Sequence, residues 1–205
     1  MQTEPGSVAA SAANPYEAPQ ARIADPAVDA GSEASFYVVS PSKFLIMAIG
    51  TFGIYIVYWF YKNWAQLNRR HKDYWPVMRA IFSIFFTHSL FGEVDQKLRR
   101  QRAPWSWSPG VLATAYVVAA IAGRVFDQIS RRSENATVFD VLPLAMLGVQ
   151  VFAIYRAQLA INVADGDPAG AANDKLTPAN YLWLALGGLF WVVILLGLYA
   201  IAAGL

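Results

Sequence analysis

The sequence predicts an all-α fold, a polytopic membrane helical bundle of about four transmembrane helices with one interfacial or re-entrant helix. Apolar residues make up 56% of the chain and charged residues only 15%, whereas about 25% is usual for soluble domains. The apolar residues also form long blocks, and no charged side chain occurs in 44–61, 103–123 or 176–205. A helix rises about 1.5 Å per residue and the hydrocarbon core is about 30 Å thick, so these blocks are long enough to cross a membrane.

The first forty residues differ from the rest in composition. They are rich in Ala, Pro and Ser, and they carry five acids against the single base Arg22. Such a segment cannot bury enough apolar surface to fold, so we expect residues 1–40 to be a disordered tail before a transmembrane helical domain over 41–205. The tail lacks the basic start and apolar centre of a signal peptide, and we therefore expect the apolar segment after it to stay in the protein.

The first two predicted membrane elements lie close together. A span is predicted over about 44–62, with an exit marked by a cluster of interfacial aromatics that includes Trp59 and Trp64. The next uncharged stretch, 80–92, is too short to cross comfortably, and acids and bases flank it. It predicts an interfacial or partly inserted helix over about 77–92. The alternative is a fifth, shortened span.

Three further spans are predicted over about 109–126, 141–161 and 180–203. Trp105 and Trp107 precede the first of them at interfacial positions, and Pro109 suits its first turn. A polar loop containing Gly166 and Asn173 leads to the last span.

Basic residues are concentrated between the first two predicted elements and after the second. Nine of the sixteen Lys and Arg residues fall within 62–102. We expect a basic loop that faces lipid, because a base beside an anionic bilayer gains about 1 kcal/mol; its members are Lys62, Arg69, Arg70, Lys72, Lys97, Arg99, Arg100 and Arg102. With four spans, the positive-inside rule places the tail outside; if the 80–92 stretch crosses, the tail is cytoplasmic. No nucleic-acid-binding module is recognisable, so nucleic acid is not an expected partner.

Four polar side chains inside or at the ends of the spans are candidates for intramembrane contacts: Arg124, Asp127, Gln150 and Arg156. Arg124 and Asp127 share a helix face and are predicted to pair with each other. Arg156 is predicted to reach the interface with its long side chain. The alternative is that these groups line a wet cavity.

Small residues recur every four positions on the span after Pro109, at Ala115, Ala119 and Gly123. The stripe predicts close packing against another helix, either in the same chain or in a second copy.

Catalytic, cofactor-binding and metal-binding residues are not predicted anywhere in the sequence. It contains no cysteine and two histidines, and it lacks the GxSxG, GxGxxG, GxxxxGK[ST] and HExxH motifs. We therefore expect a non-enzymatic membrane protein that acts through helix packing and contacts with lipid, with itself or with another membrane protein. A small transporter or channel component is the alternative, and an enzyme within the membrane is less favoured.

Two stretches carry a family resemblance. Residues 51–64, TFGIYIVYWFYKNW, and residues 79–91, RAIFSIFFTHSLF, resemble motifs of a family of small bacterial inner-membrane proteins with no assigned function. Residues 14–19 resemble a segment near the start of other bacterial envelope proteins. The resemblance implies an inner-membrane location and transfers no activity. After Arg102 it is limited to Gln158, Ile161, Asn162, Asn173 and Asn180.

Overall fold

The structure, a computed structural model, describes residues 35–132 and 140–203, without the side chains of Arg70, His71 and Ile201. Residues 1–34 lie outside this description, and with them most of the predicted disordered tail. The described residues form seven α-helices and no strand, so the all-α prediction is confirmed. The helices are α1 Pro41–Gly50, α2 Ile54–His71, α3 Pro76–Ile81, α4 Ser83–Arg100, α5 Pro109–Ser130, α6 Leu142–Ala164 and α7 Pro178–Ala203.

Three of the described helices are long and apolar enough to cross a membrane. They are α5, α6 and the Pro178–Ala200 part of α7, and they coincide with the three later spans of the sequence prediction. By length and composition, the chain is therefore a membrane protein with three candidate spans.

The predicted first span is not one helix, because the chain breaks at residues 51–53. Phe52 and Gly53 have φ angles of 52° and 79°, in the left-handed region that ends helices. The Gly53 N–H donates to the Ala48 carbonyl at 2.8 Å and so closes the end of α1. Hydropathy alone does not detect this break, because Thr51, Phe52 and Gly53 are all uncharged.

Helices α1 and α2 form a hairpin. The Phe44 ring in α1 packs edge-on against Tyr55 and Trp59 of α2, with centroids 6.0 and 6.4 Å apart. One continuous helix would place residues 44 and 59 about 22 Å apart. The turn of the hairpin lies beside Leu147 of α6, where a Cβ added to Gly53 would meet the leucine side chain at 2.8 Å.

The predicted helix over 77–92 also differs from the structure. It is divided at Phe82 into α3 and α4, and α4 continues to Arg100. Lys97, Arg99 and Arg100 therefore belong to the last turn of a helix. The prediction of a basic loop is wrong in its local structure, because Lys62 and Arg69 also lie within a helix, α2.

The most extensive helix packing is between α5 and α6. A Cβ added to Gly123 would lie 3.3 Å from the Met146 Cβ, so α6 approaches the small-residue stripe closely at this position. The stripe prediction is confirmed there, with a partner in the same chain. Helix α7 packs against α1, and most of its large apolar side chains are exposed.

Candidate functional site: a polar clamp around an extended segment

Residues 35–40 form an extended segment immediately before α1. Phe36 and Val39 are almost completely buried, with exposed fractions of 2% and 0%. The prediction of a disordered tail up to residue 40 is therefore wrong for this segment. Extended backbone has no hydrogen-bond partners of its own, so its buried N–H and C=O groups need partners from elsewhere in the fold.

Asp165 binds the start of the segment. Its carboxylate accepts hydrogen bonds from the backbone N–H groups of Ser35 at 3.2 Å and Phe36 at 2.8 Å. The Lys97 ammonium forms an ion pair with the same carboxylate and donates to the Ser35 hydroxyl at 2.9 Å. The Asp165 side chain is 1% exposed, and Lys97 and the two N–H groups together compensate its buried charge.

Two side chains one turn apart on α6 bind the middle of the segment. The Gln158 amide donates to the Tyr37 carbonyl at 3.1 Å and to the Asn162 side-chain oxygen at 2.6 Å. The Asn162 amide donates to the Val39 carbonyl at 2.9 Å. The Gln158 oxygen in turn accepts a hydrogen bond from the Trp59 indole N–H. Gln158 and Asn162 are fully buried, and their mutual hydrogen bond fixes both side chains.

Helix α2 supplies Asn63 to the same arrangement. Its side-chain oxygen accepts the Tyr37 N–H at 3.0 Å, and its amide donates to the Trp59 carbonyl at 2.9 Å. Tyr37 is therefore held at its N–H by α2 and at its carbonyl by α6.

The loop after α6 closes over the end of the segment. The Asn173 amide donates to the Val38 carbonyl at 3.0 Å, and the Asn173 carbonyl accepts the Ser40 N–H at 3.2 Å. Buried Lys43 donates to the Asn173 side-chain oxygen at 2.7 Å and to the Lys175 carbonyl at 2.6 Å. Gly170, at φ 65°, approaches so closely that an added Cβ would lie 2.5 Å from the Ser40 nitrogen.

Asp167 shapes this loop. Its carboxylate accepts the Ala172 N–H at 2.9 Å and the Ala171 N–H at 3.0 Å. These hydrogen bonds favour the ionised form and lower the pKa of Asp167. The loop conformation is therefore stabilised by a charged carboxylate near neutral pH.

We call the backbone-binding side chains Asn63, Gln158, Asn162, Asp165 and Asn173, together with Lys97, the polar clamp. Each of them makes hydrogen bonds in this arrangement. The described residues contain no group of three or more His, Asp or Glu side chains placed to hold a metal ion. The clamp is thus suited to binding an extended peptide backbone, and here it binds the chain's own.

Three of the four predicted intramembrane residues, Arg124, Asp127 and Gln150, line one groove with Arg131. This α5–α6 groove has a volume of about 770 Å³ and is bounded by α5, α6 and the two helix breaks near Phe52 and Phe82. The predicted pair is wrong, because Asp127 pairs with Arg131, whose Nη2 lies 2.8 Å from Oδ2. Spacing of three or four residues brings side chains together on a helix, and here the partner four residues on, at the helix end, is preferred.

Arg156 is not part of the lining of this groove. It is half-buried on α6, and its Nε has no hydrogen-bond partner among the described residues. The structure therefore does not bring together all four residues that the sequence singles out.

The predicted basic residues divide into two groups. Lys97 belongs to the polar clamp, and Lys62 lies 5.6 and 5.9 Å from the ring centroids of Tyr37 and Tyr58. The exposed bases at the ends of α2 and α4 form what we call the basic cap: Arg69, Lys72, Arg99, Arg100 and Arg102. The side chain of Arg70 lies outside the described part of the chain.

Sequence reasoning missed most of the polar clamp. There is no sequence spacing that relates Asn63, Lys97 and Asp165 to one another. They come from three different places in the chain: α2, α4 and the loop after α6. The available signal was Gln158 and Asn162, two amides four residues apart near the end of an apolar span.

No protein-family model, curated protein or solved structure matches this chain. The clamp, the groove and the basic cap are therefore the observations from which its function is argued.

Proposed function

We propose that this chain is a non-enzymatic protein of the bacterial inner membrane that contacts anionic lipid of the cytoplasmic leaflet through its basic cap. The observation that carries the proposal is the grouping of five exposed bases at the ends of two helices, on the side of the molecule that also carries the polar clamp. The resemblance of residues 51–64 to an inner-membrane family supports the location.

The sidedness follows from three contacts. The Trp107 indole, just before α5, donates to Asp95 at 3.0 Å, and Asp165, just after α6, binds Lys97. The start of α5 and the end of α6 therefore lie beside α4. Because Ser35 also contacts Asp165, the extended segment lies on this side as well. The end of α5 and the start of α6 lie on the opposite side.

This arrangement supports a topology of three spans with a re-entrant hairpin. The start of α1 and the middle of α2 are both at the clamp, where Ser40 and Asn63 bind, and the turn between them is beside Leu147. The hairpin therefore enters the bilayer and returns to the same side. Under the positive-inside rule the basic cap is cytoplasmic, and so is the extended segment with the tail before it. This differs from the outside tail expected for four spans.

Apolar side chains beside the cap support contact with a bilayer. Trp75 is 76% exposed, and Val77 and Met78 at the start of α3 are also exposed. Exposed aromatic and aliphatic side chains next to bases are typical of a surface at the membrane interface. Each base near an anionic surface contributes about 1 kcal/mol of attraction.

A small transporter or channel component is the second candidate, and the shared groove of Arg124, Asp127 and Gln150 favours it. Against it, Asp127 is paired with Arg131, and Arg156 does not line the groove. We therefore keep lipid contact as the leading proposal.

Cysteine accessibility tests the topology, because the chain contains no cysteine of its own. Single cysteines at Ser11, Ser106 and Ala172 are expected to react with an impermeant thiol reagent from the cytoplasmic side. A cysteine at Arg132 is expected to react from the periplasmic side. Labelling of Ser11 and Ser106 from opposite sides would overturn the three-span topology.

Lipid association tests the role of the basic cap. In the R100Q/R102Q variant, the preference of the protein for spin-labelled phosphatidylglycerol over phosphatidylcholine is expected to fall about thirtyfold, since two bases each contribute about 1 kcal/mol. R132Q removes an exposed base on the opposite side and is the control. It is expected to leave the lipid preference in the cytoplasmic leaflet unchanged. Equal preference in the cap variant and the unmodified chain, each correctly folded, would contradict the proposal.

A further inference from the structure

We propose that the α5–α6 groove is a binding site for one anionic phospholipid, with the headgroup phosphate at Arg124 and an acyl chain along the apolar end. The site is separate from the basic cap, and its argument does not depend on the proposed function. It rests on the shape of the groove, on the distribution of polar groups along it and on the charge balance at its polar end.

The groove is long and polar at one end. Its lining follows α5 from Tyr116 to Arg131, a distance of about 22 Å along the helix. Arg124, Asp127 and Arg131 lie towards the end of α5, whereas the other end, where Ser83 contacts Tyr116, is bounded by apolar residues around the break at Phe82, including Ile81 and Ile84. A headgroup joined to an acyl chain has the same order of polar and apolar parts.

Apart from Gln150, whose amide donates to the Met146 carbonyl at 3.3 Å, the part of the groove away from Arg124 offers little to a polar ligand. The hydroxyl groups of Ser83 and Tyr116 hydrogen-bond to each other at 3.0 Å. Ile81, Phe82 and Ile121, which also line the groove, are exposed apolar side chains. A soluble anion would leave this apolar half unfilled, whereas an acyl chain would cover it.

The polar end carries an arginine, Arg124, that has no ion-pair partner among the described residues, whereas Arg131 neutralises Asp127. Arg124 also lies six residues before the end of α5, about 9 Å inside the helix. A cation in that position is costly unless it is paired or reaches water, and a phosphate at the mouth of the groove would pair with it.

The two lipid sites belong to opposite leaflets. The polar end of the groove is at the end of α5, and the start of α5 lies beside α4 and the polar clamp. Lipid bound at the groove can therefore be distinguished from lipid at the basic cap by the position of a probe on α5.

The test uses the full chain with one cysteine at Val125, which lines the groove and is exposed, labelled with a bimane fluorophore. The protein is placed in nanodiscs of phosphatidylcholine that contain a small fraction of brominated phosphatidylglycerol or, separately, brominated phosphatidylcholine. Phosphatidylglycerol is expected to quench the label at a concentration about tenfold lower than phosphatidylcholine does, because its headgroup has a net negative charge, whereas the choline of phosphatidylcholine neutralises the phosphate that would face Arg124. A label at Val192 on exposed α7 is expected to show no such preference.

Three variants distinguish lipid binding in the groove from a general preference of the protein surface for anionic lipid. Arg124→Gln is expected to remove the preference at Val125, Arg124→Lys to retain most of it, and Arg132→Gln, outside the groove, to leave it unchanged. Thermal unfolding and gel filtration identify any variant that misfolds, and Arg124→Lys then carries the test. An unchanged preference in a folded Arg124→Gln protein would overturn the proposal.

Inorganic phosphate distinguishes a lipid site from a site for a free anion. Phosphate is expected to reverse the quenching no more than chloride at equal ionic strength, because it cannot replace the acyl chain. Selective reversal by phosphate would mean that the groove takes the free ion, and the lipid assignment would be rejected.

Discussion

Replacement of Asp165 by asparagine is expected to lower the free energy of unfolding by about 2–3 kcal/mol. The carboxylate accepts the N–H groups of Ser35 and Phe36 and pairs with Lys97, while its own side chain is 1% exposed. Asparagine fits the same space but leaves the Lys97 ammonium half-buried without its counter-charge. The estimate is at the low end for a broken buried pair, because Lys97 is 23% exposed.

The measurement is chemical unfolding of the purified chain in detergent, with limited chymotrypsin digestion in parallel. Release of the extended segment is expected to expose Phe36 and Tyr37 to cleavage. Asp174→Asn is the control, because Asp174 is an exposed acid in the same loop, and it should change stability by less than about 0.5 kcal/mol. If both variants unfold alike, the clamp does not hold the segment.

A double variant separates charge from backbone hydrogen bonding. Asp165→Leu with Lys97→Met removes both members of the ion pair, so no buried charge is left unpaired. We expect this protein to be more stable than one with Asp165→Leu alone. It should remain less stable than the unmodified chain, because the N–H groups of Ser35 and Phe36 still lose their acceptor.

The sequence predicts the three candidate spans well because length and hydropathy are sufficient to define them. The α1–α2 hairpin depends on the left-handed backbone at Phe52 and Gly53, which a window of apolar residues hides. Phe36 and Val39 illustrate a second limit. Their burial depends on partners more than a hundred residues away, such as Asp165 and Asn162, and a composition argument about the tail does not include them.

The candidate sites, like the fold, are predicted by the sequence only in part. Arg124, Asp127 and Gln150 stand out in the sequence because polar groups are expensive in a span, and the structure places them along one groove. The sequence does not predict the partner of Asp127, because Arg124 and Arg131 both have helical spacing from it and side-chain geometry decides between them. Lys97 was expected to face lipid, but the nearest carboxylate in space, Asp165, becomes its partner.

Gly187→Ala is expected to weaken the packing of α7 against α1 and to lower the free energy of unfolding by about 2–3 kcal/mol. A Cβ at this position would come closer than 3.0 Å to the Gly50 carbonyl oxygen and the Thr51 Cα, a separation that real Cβ atoms do not show. Because those atoms are backbone, α7 has to move away. Its contacts beyond this point would then weaken, including the hydrogen bond from the Trp191 indole to the Ile49 carbonyl at 2.8 Å and the edge-on contact of Trp191 with Phe52.

Two glycines on the same helix are matched controls. A Cβ added to Gly188 or Gly197 would meet nothing within 4 Å, and alanine is favoured over glycine inside a helix by up to about 1 kcal/mol. Gly188→Ala and Gly197→Ala are therefore expected to be neutral or slightly stabilising. Unfolding in detergent measures the stabilities, and spin labels at the exposed positions Ile46 and Leu195 measure the separation of α1 and α7.

The label distance is expected to increase in Gly187→Ala and to stay constant in both controls. An unchanged distance together with unchanged stability would mean that α7 does not pack against the Gly50 backbone. The distance matters for the hairpin as well, since Gly187 contacts the residues at which α1 turns into α2. If α7 moves, the left-handed turn at Phe52 and Gly53 loses the packing of Trp191, so a longer distance should be accompanied by greater exposure of that turn.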